Sequence, residues 1–148
     1  MVIFTCRDRF DDMMTCIYEA WASHLGHNNI KLRTEPIGTM ELFSEYRHVE
    51  ADKEKTESVI RTIQQKISFR AYQMVYHAAM AADEEEKLDS IYRFLILGFH
   101  YRRQILEKLI STKKSAAIFQ GLFLRGSAPF SNFCFKFLIS YTLDKITD

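Results

Sequence analysis

Residues 91–99 are apolar almost all the way round a helical projection, and Arg93 is the only charge among them. A helix without a polar face must be buried on every side, so a chain with this segment has to wrap other elements around it. Gly98 either ends that helix or lets a neighbour approach closely. The sequence around it supplies candidate wrapping elements. Val2 to Cys6 is β-branched and apolar with almost no alternation, the pattern of a strand buried on both faces or lying under a helix. Asp8 reads as a helix N-cap, and Phe10, Met13, Met14, Ile17, Tyr18 and Trp21 then recur on one helical face, with Gly26 as a left-handed stop. Ile30 and Leu32 alternate with Lys31 and Arg33, which favours a short strand with one wet face, closed by a turn at Pro36-Ile37-Gly38.

Downstream the period is helical. Glu50 and Asp52 precede a stripe of Thr56, Val59, Ile60, Ile63 and Ile67. Ser68 caps a further helix whose inner face is Tyr72, Val75, Tyr76 and Ala79. Asp83 with Glu86 resembles a capping box for the central helix. Ile105, Leu106 and Leu109 support one more amphipathic helix over 102–110. Beyond Ser111, Gly121, Gly126 and Pro129 punctuate short apolar pieces, and Phe133, Phe135 and Phe137 alternate as in a strand. The expected fold is a mainly helical α+β domain. It has about five helices around a central one near residues 84–98, and one or two short strands near the N-terminus. Residues 1–110 carry that domain.

The chain has 148 residues, 47% of them hydrophobic, which suits one domain with a real core. Its 20 basic and 19 acidic residues exclude a strongly basic nucleic-acid binder as a description of the whole. The distribution is dipolar: 12 basic and 16 acidic residues up to Phe99, then 8 basic and 3 acidic. Three widely spaced cysteines without a Cys-x-x-Cys pair suggest neither a disulfide framework nor a zinc ribbon, and fit a reducing cytoplasm. Charges by the seventh residue argue against a signal peptide, and the most apolar tract, 130–143, is too short to span a bilayer. No membrane association is expected.

His24-x-x-His27 is the tightest histidine pair, with Cys16 and Glu19 the nearest further ligands. A helix C-terminal cation and a loop hydrogen-bonder account for the two histidines more simply, and neither a metal site nor a cofactor is expected. Glu41, Glu45, Tyr46, His48 and Glu50 form the densest titratable cluster outside a helical pattern. Glu41, Glu45 and His48 would do acid–base chemistry if a pocket gathered them and shifted their pKa values, whereas a plain solvated loop needs no such pocket. No nucleophile elbow, P-loop or Gly-x-Gly-x-x-Gly is present. Arg61, Lys66, Arg70, Arg93, Arg102 and Arg103, near Tyr72, Tyr76, Tyr92 and Tyr101, are materials for a phosphate-tracking surface with stacking partners, provided they share a face.

Five strings stand together in the chain: Trp21-Ala22-Ser23-x-x-Gly26-His27, Glu41-Leu42-Phe43-x-Glu45-Tyr46, Asp52-x-Glu54-Lys55, Lys66-Ile67-Ser68-x-x-Ala71-Tyr72-x-x-Val75-Tyr76-x-Ala78-Ala79 and Ile91-Tyr92-Arg93-Phe94-Leu95-x-Leu97-Gly98-Phe99. Jointly they resemble a bacterial family described as probable DNA metabolism proteins. The likeness covers residues 1 to about 109, with Trp21, His27, Tyr46, Tyr76, Tyr92 and Arg93 as its motif residues. It implies a role in DNA repair or modification beside a radical-SAM protein or a uracil-DNA-glycosylase-like protein, and it implies no catalytic residue. The chain has no Cys-x-x-x-Cys-x-x-Cys for an iron–sulfur cluster, so the resemblance casts it as the accessory, non-enzymatic component. A small enzyme using the cluster at 41–50 is the alternative, and a homodimer is the rival to a heterologous partner. At the C-terminus Gly126-Ser127-Ala128-Pro129-Phe130 stands where the family continues with a Glu-Ala-His string and further strands. Residues 111–148 are therefore expected to be a remnant of a truncated, frameshifted or degenerate C-terminal region, either part of the same domain or poorly ordered, and if the missing strands complete a sheet with Val2 to Cys6, that strand keeps an open edge.

Overall fold

The computed structural model describes residues 1–81 and 86–101. In chain order these form β1 (Val2–Cys6), α1 (Phe10–Ala22), a single 3₁₀ turn (His27–Asn29), β2 (Ile30–Thr34), β3 (Glu45–His48), α2 (Lys53–Lys66), α3 (Phe69–Met80) and α4 (Lys87–Tyr101). The mainly helical α+β expectation holds. Four α-helices rather than five are present among the described residues, and the helix expected over 102–110 lies outside them, as does the Asp83 end of the expected capping box.

The strands make one parallel sheet in the order β2-β1-β3. This departs from the expectation in two ways. The segment at 45–48 is a strand, because its Glu-Tyr-Arg-His run pairs in register with Val2 to Thr5 although it carries no hydrophobic signal. Consequently β1 is the central strand, and its edge is not open. The free edge of β2 is met by α4: Asp89 Oδ1 accepts the Leu32 N–H at 3.2 Å, and Arg93 Nη2 donates to the Ile30 carbonyl at 2.6 Å.

All helices gather into one core with one face of the sheet. Phe4, Cys6, Ile30 and Leu32 share a cluster with Met13, Met14, Cys16 and Ile17 of α1, with Ile63 and Ile67, with Met74 and Val75 of α3, and with Ile91, Tyr92 and Leu95 of α4. Leu95 and Tyr92 are fully buried, as an apolar-all-round helix requires. Gly98 stays inside α4 and serves close approach: a Cβ there would lie 2.6 Å from Ile67 Cδ1.

The local signals divide. Asp52 and Ser68 cap α2 and α3 through the Lys55 and Ala71 N–H groups at 3.1 Å each. Asp8 does not cap α1. Arg9 occupies that position without a side-chain bond, and Asp8 pairs instead with the buried Lys87 at 2.5 Å. After α1 the left-handed residue is His24 (φ 52°), while Gly26 has φ 84° and ψ 135°, outside the left-handed helical region. Tyr18 and Trp21 sit at the rim of the core rather than in it, and Tyr76 is 41% exposed rather than inward-facing. α1 and α2 are joined by buried hydroxyls: Thr15 Oγ1 accepts the Asp52 N–H at 3.0 Å and lies 3.1 Å from Thr56 Oγ1, which donates to the Asp11 carbonyl at 3.0 Å. No described helix is long and apolar enough to cross a membrane.

Candidate functional site

Alternation puts Phe4 and Leu32 on the helix side of the sheet and therefore Ile3, Thr5, Lys31, Arg33, Tyr46 and His48 on the other. The segment from Glu35 to Ser44 is tied down to this second face. Glu41 accepts from Lys31 Nζ at 2.8 Å and from Arg33 Nη2 at 2.7 Å, and its own N–H donates to the Tyr46 hydroxyl at 2.7 Å. Glu35 Oε1 lies 2.7 Å from His48 Nδ1, at the carboxyl end of the sheet. Glu45, on the opposite alternation, pairs with Arg47 at 2.7 Å. Of the proposed acid–base residues, Glu41 and His48 thus share a face with Tyr46, and Glu45 does not.

The electrostatics of this face bear on its chemistry. Hydrogen bonds and charge from Lys31, with Arg33 beside it, hold the Glu41 carboxyl below the usual carboxylate range. Arg47 does the same to Glu45. Burial pulls Glu35 upward, but hydrogen bonds from His48 and Thr5 and the nearby Arg7 charge outweigh it, and the net direction is down. Three carboxylates held ionised are poor proton donors near neutrality. Their bonds are those of a clamp.

The motif residues Trp21, His27, Tyr92 and Arg93 converge where α1, the 3₁₀ turn, β2 and α4 meet. His27 Nδ1 is 2.8 Å from the Tyr92 hydroxyl, and the Trp21 ring packs against His27 at 4.9 Å and Phe99 at 5.3 Å between centroids. Arg93 donates to the His27 and Ile30 carbonyls and to Asp89. Burial pushes the Tyr92 phenol up to about 12, and burial together with Arg93 lowers His27. Arg93 thereby stitches α4 to the 3₁₀ turn and to β2, and Tyr92 ties α4 to the 3₁₀ turn. Among the described residues no group of three His, Cys, Asp or Glu side chains is placed to hold a metal ion, and His27 has Tyr92 as its partner.

A third arrangement lies at the corner between α2 and α3. Lys66 is exposed in the last turn of α2, and Phe69 and Arg70 are exposed in the first turn of α3. Phe69 is 59% exposed and stands at the head of an aromatic row: its ring is 5.9 Å from Tyr72, which is 6.4 Å from Tyr76, and Phe10 lies 5.1 Å from Tyr76. Spacings of three and four residues put these rings along one side of α3, beside the buried stripe of Ala71, Met74, Val75 and Ala78. Arg61 is exposed on α2 but lies about 140° round the helix from Lys66 at 3.6 residues per turn. It stands apart from the corner. Arg102 and Arg103 lie outside the described residues, as does the Tyr101 side chain.

Sequence reasoning missed Phe69, Lys31, Arg33 and Glu35. The alternation around Lys31 and Arg33 marked a wet face, but only the pairing of β3 reveals that Glu41 would close over it. Phe69 shares the spacing of three and four residues with Tyr72 and Tyr76, but it directly follows the cap Ser68, and only the fold shows that it is exposed at the head of the row. No family model matches the chain, and no curated protein or solved structure matches it.

Proposed function

We propose that this chain is a non-catalytic, cytoplasmic accessory domain in DNA repair or modification. It works beside a catalytic partner of the radical-SAM or uracil-DNA-glycosylase-like kind and contacts single-stranded DNA through the α2–α3 corner. The observation that carries the DNA contact is the exposed row led by Phe69 and Tyr76, flanked by Lys66 and Arg70. Successive aromatic faces beside cations are what a sequence-tolerant single-strand groove uses, because every base has a π-face and every nucleotide a phosphate. The resemblance in the sequence supplies the context of DNA metabolism and the identity of the partner. The clamped carboxylates Glu35, Glu41 and Glu45 support the accessory role over acid–base catalysis.

The test is fluorescence anisotropy with a labelled oligo-dT strand over a salt series. Two to three phosphate contacts give a log–log salt slope of about −1.4 to −2 for a single strand. Phe69→Ala and Tyr76→Ala each lose about 1–3 kcal/mol of binding if a base stacks there. Binding that ignores salt, or ignores both substitutions, removes the DNA contact from the proposal.

A further inference from the structure

Among the described residues the sheet has one edge without a partner. Asp89 and Arg93 occupy the outer edge of β2, whereas β3 pairs with β1 alone. The Glu45 N–H donates to the Met1 carbonyl at 3.0 Å and the Val49 N–H to the Thr5 carbonyl at 2.8 Å. Alternation therefore turns the backbone groups of Glu45, Arg47 and Val49 toward β1 and those of Tyr46 and His48 away from it. Edge strands are ordinarily guarded by lysines, by proline or by a bulge. The Glu-Tyr-Arg-His run of β3 has none of these, and the two charges on its helix-side face are opposite in sign. Glu45 and Arg47 lie 2.7 Å apart and remain 61% and 45% exposed.

We infer that β3 pairs antiparallel with β3 of a second copy of this chain, about a two-fold axis perpendicular to the sheet and beside Tyr46. Symmetry and charge select the occupant and the register. Such an axis keeps each face of the sheet on its own side, so residues standing opposite one another share an alternation. Centred on Tyr46, the ladder sets Tyr46 opposite Tyr46 as a hydrogen-bonded pair, through the N–H and C=O groups that face outward. It also sets each Glu45 opposite Arg47 of the other copy, at the closer positions without hydrogen bonds, where opposite charges stabilise a pair. These side chains form a neutral quartet, so the pairing needs no excess of charge. Moving the centre to Glu45 or Arg47 brings like charges face to face, and moving it to His48 separates Glu45 from Arg47. Phe43, at φ 60°, ends the extended run before Ser44, so the ladder is short and the dimer weak, with a dissociation constant on the order of 10–100 μM. Because β2 offers no free edge to a further copy, the contact closes as a dimer and does not grow into a fibre. The dimer goes beyond the DNA reading and uses none of the α2–α3 corner.

Sedimentation velocity of the full chain over about 1–300 μM brackets that constant and tests the pairing. The wild type is expected to pass from monomer to dimer across the range. Glu45→Arg alone and Arg47→Glu alone each place like charges opposite one another and raise the dissociation constant about tenfold or more. An equimolar mixture of these two variants sets arginine opposite glutamate again, as does the double variant Glu45→Arg/Arg47→Glu. Both recover association to within about threefold of the wild type. The side chains are exposed, so every variant keeps the wild-type circular dichroism. A chain that stays monomeric throughout, a dimer that the single variants leave unchanged, or a mixture no tighter than either variant alone overturns the pairing.

Discussion

Replacing Gly98 by alanine puts two opposed effects on one atom. An alanine inside a helix is favoured over glycine by about 1 kcal/mol, because glycine gives up more backbone freedom on folding. At Gly98, however, the added Cβ would lie 2.6 Å from Ile67 Cδ1, and 3.4 Å from Ile67 Cγ1, against a side chain that is only 1% exposed. Pushing a buried isoleucine aside costs about 1–3 kcal/mol. The net expectation for Gly98→Ala is a loss of about 0–2 kcal/mol. Ile67→Val removes the one atom that clashes and by itself costs about 0.5–1.5 kcal/mol. In that background the helical preference of alanine acts unopposed, so Gly98→Ala becomes neutral or stabilising, and the coupling between the two sites is about 0.5–3 kcal/mol. Urea denaturation of the four proteins in the cycle measures it. If Gly98→Ala stabilises the wild type by the full helical increment, or costs the same in both backgrounds, the close packing of α4 against the end of α2 is not what makes residue 98 a glycine.

Further outcomes follow from other contacts. Thr56→Val deletes a hydroxyl buried between α1 and α2 that donates to the Asp11 carbonyl, which keeps the Thr15 hydroxyl as a donor at 2.9 Å, so urea unfolding should show a loss of about 0.5–1.5 kcal/mol. Tyr92 has a pKa raised to about 12 by burial, so the folded state holds the neutral phenol. Its contribution is complete below pH 10 and is lost as pH rises toward 12; thermal melts should fall across that window and fall less in Tyr92→Phe. Glu41 is shifted downward by Lys31 and Arg33, so its contribution is present above the ordinary carboxylate pKa and disappears as pH falls through its lowered folded value. Melts taken from neutral pH into the acid range should therefore decline less steeply in Glu41→Gln.

Legibility followed the kind of force at work. The core was readable wherever one residue's period and polarity sufficed: residues 91–99 announced a buried helix, Asp52 and Ser68 announced their caps, and Ile30 with Leu32 announced a strand. What failed depended on partners distant in sequence. Glu45 to His48 became a strand because β1 offers a second edge, which no local pattern in Glu-Tyr-Arg-His records. Asp8 left its helix for Lys87, 79 positions away in the sequence. Tyr76 kept the spacing of a core residue yet lies on the flank of α3. The candidate surfaces behaved likewise: the aromatic and basic materials at 66–76 were visible, while the bonds of Tyr92 to His27 and of Arg93 to the edge of β2 required the fold to be known.

The central claim is that DNA meets this chain at the α2–α3 corner, and amide shifts in a two-dimensional ¹⁵N–¹H spectrum during titration with oligo-dT test it most directly. The account predicts saturable shifts confined to Lys66 to His77, weakened by added salt and lost in Phe69→Ala/Tyr76→Ala, with the Met40 to His48 segment unmoved. Shifts centred on that segment, or none at low salt, would contradict it.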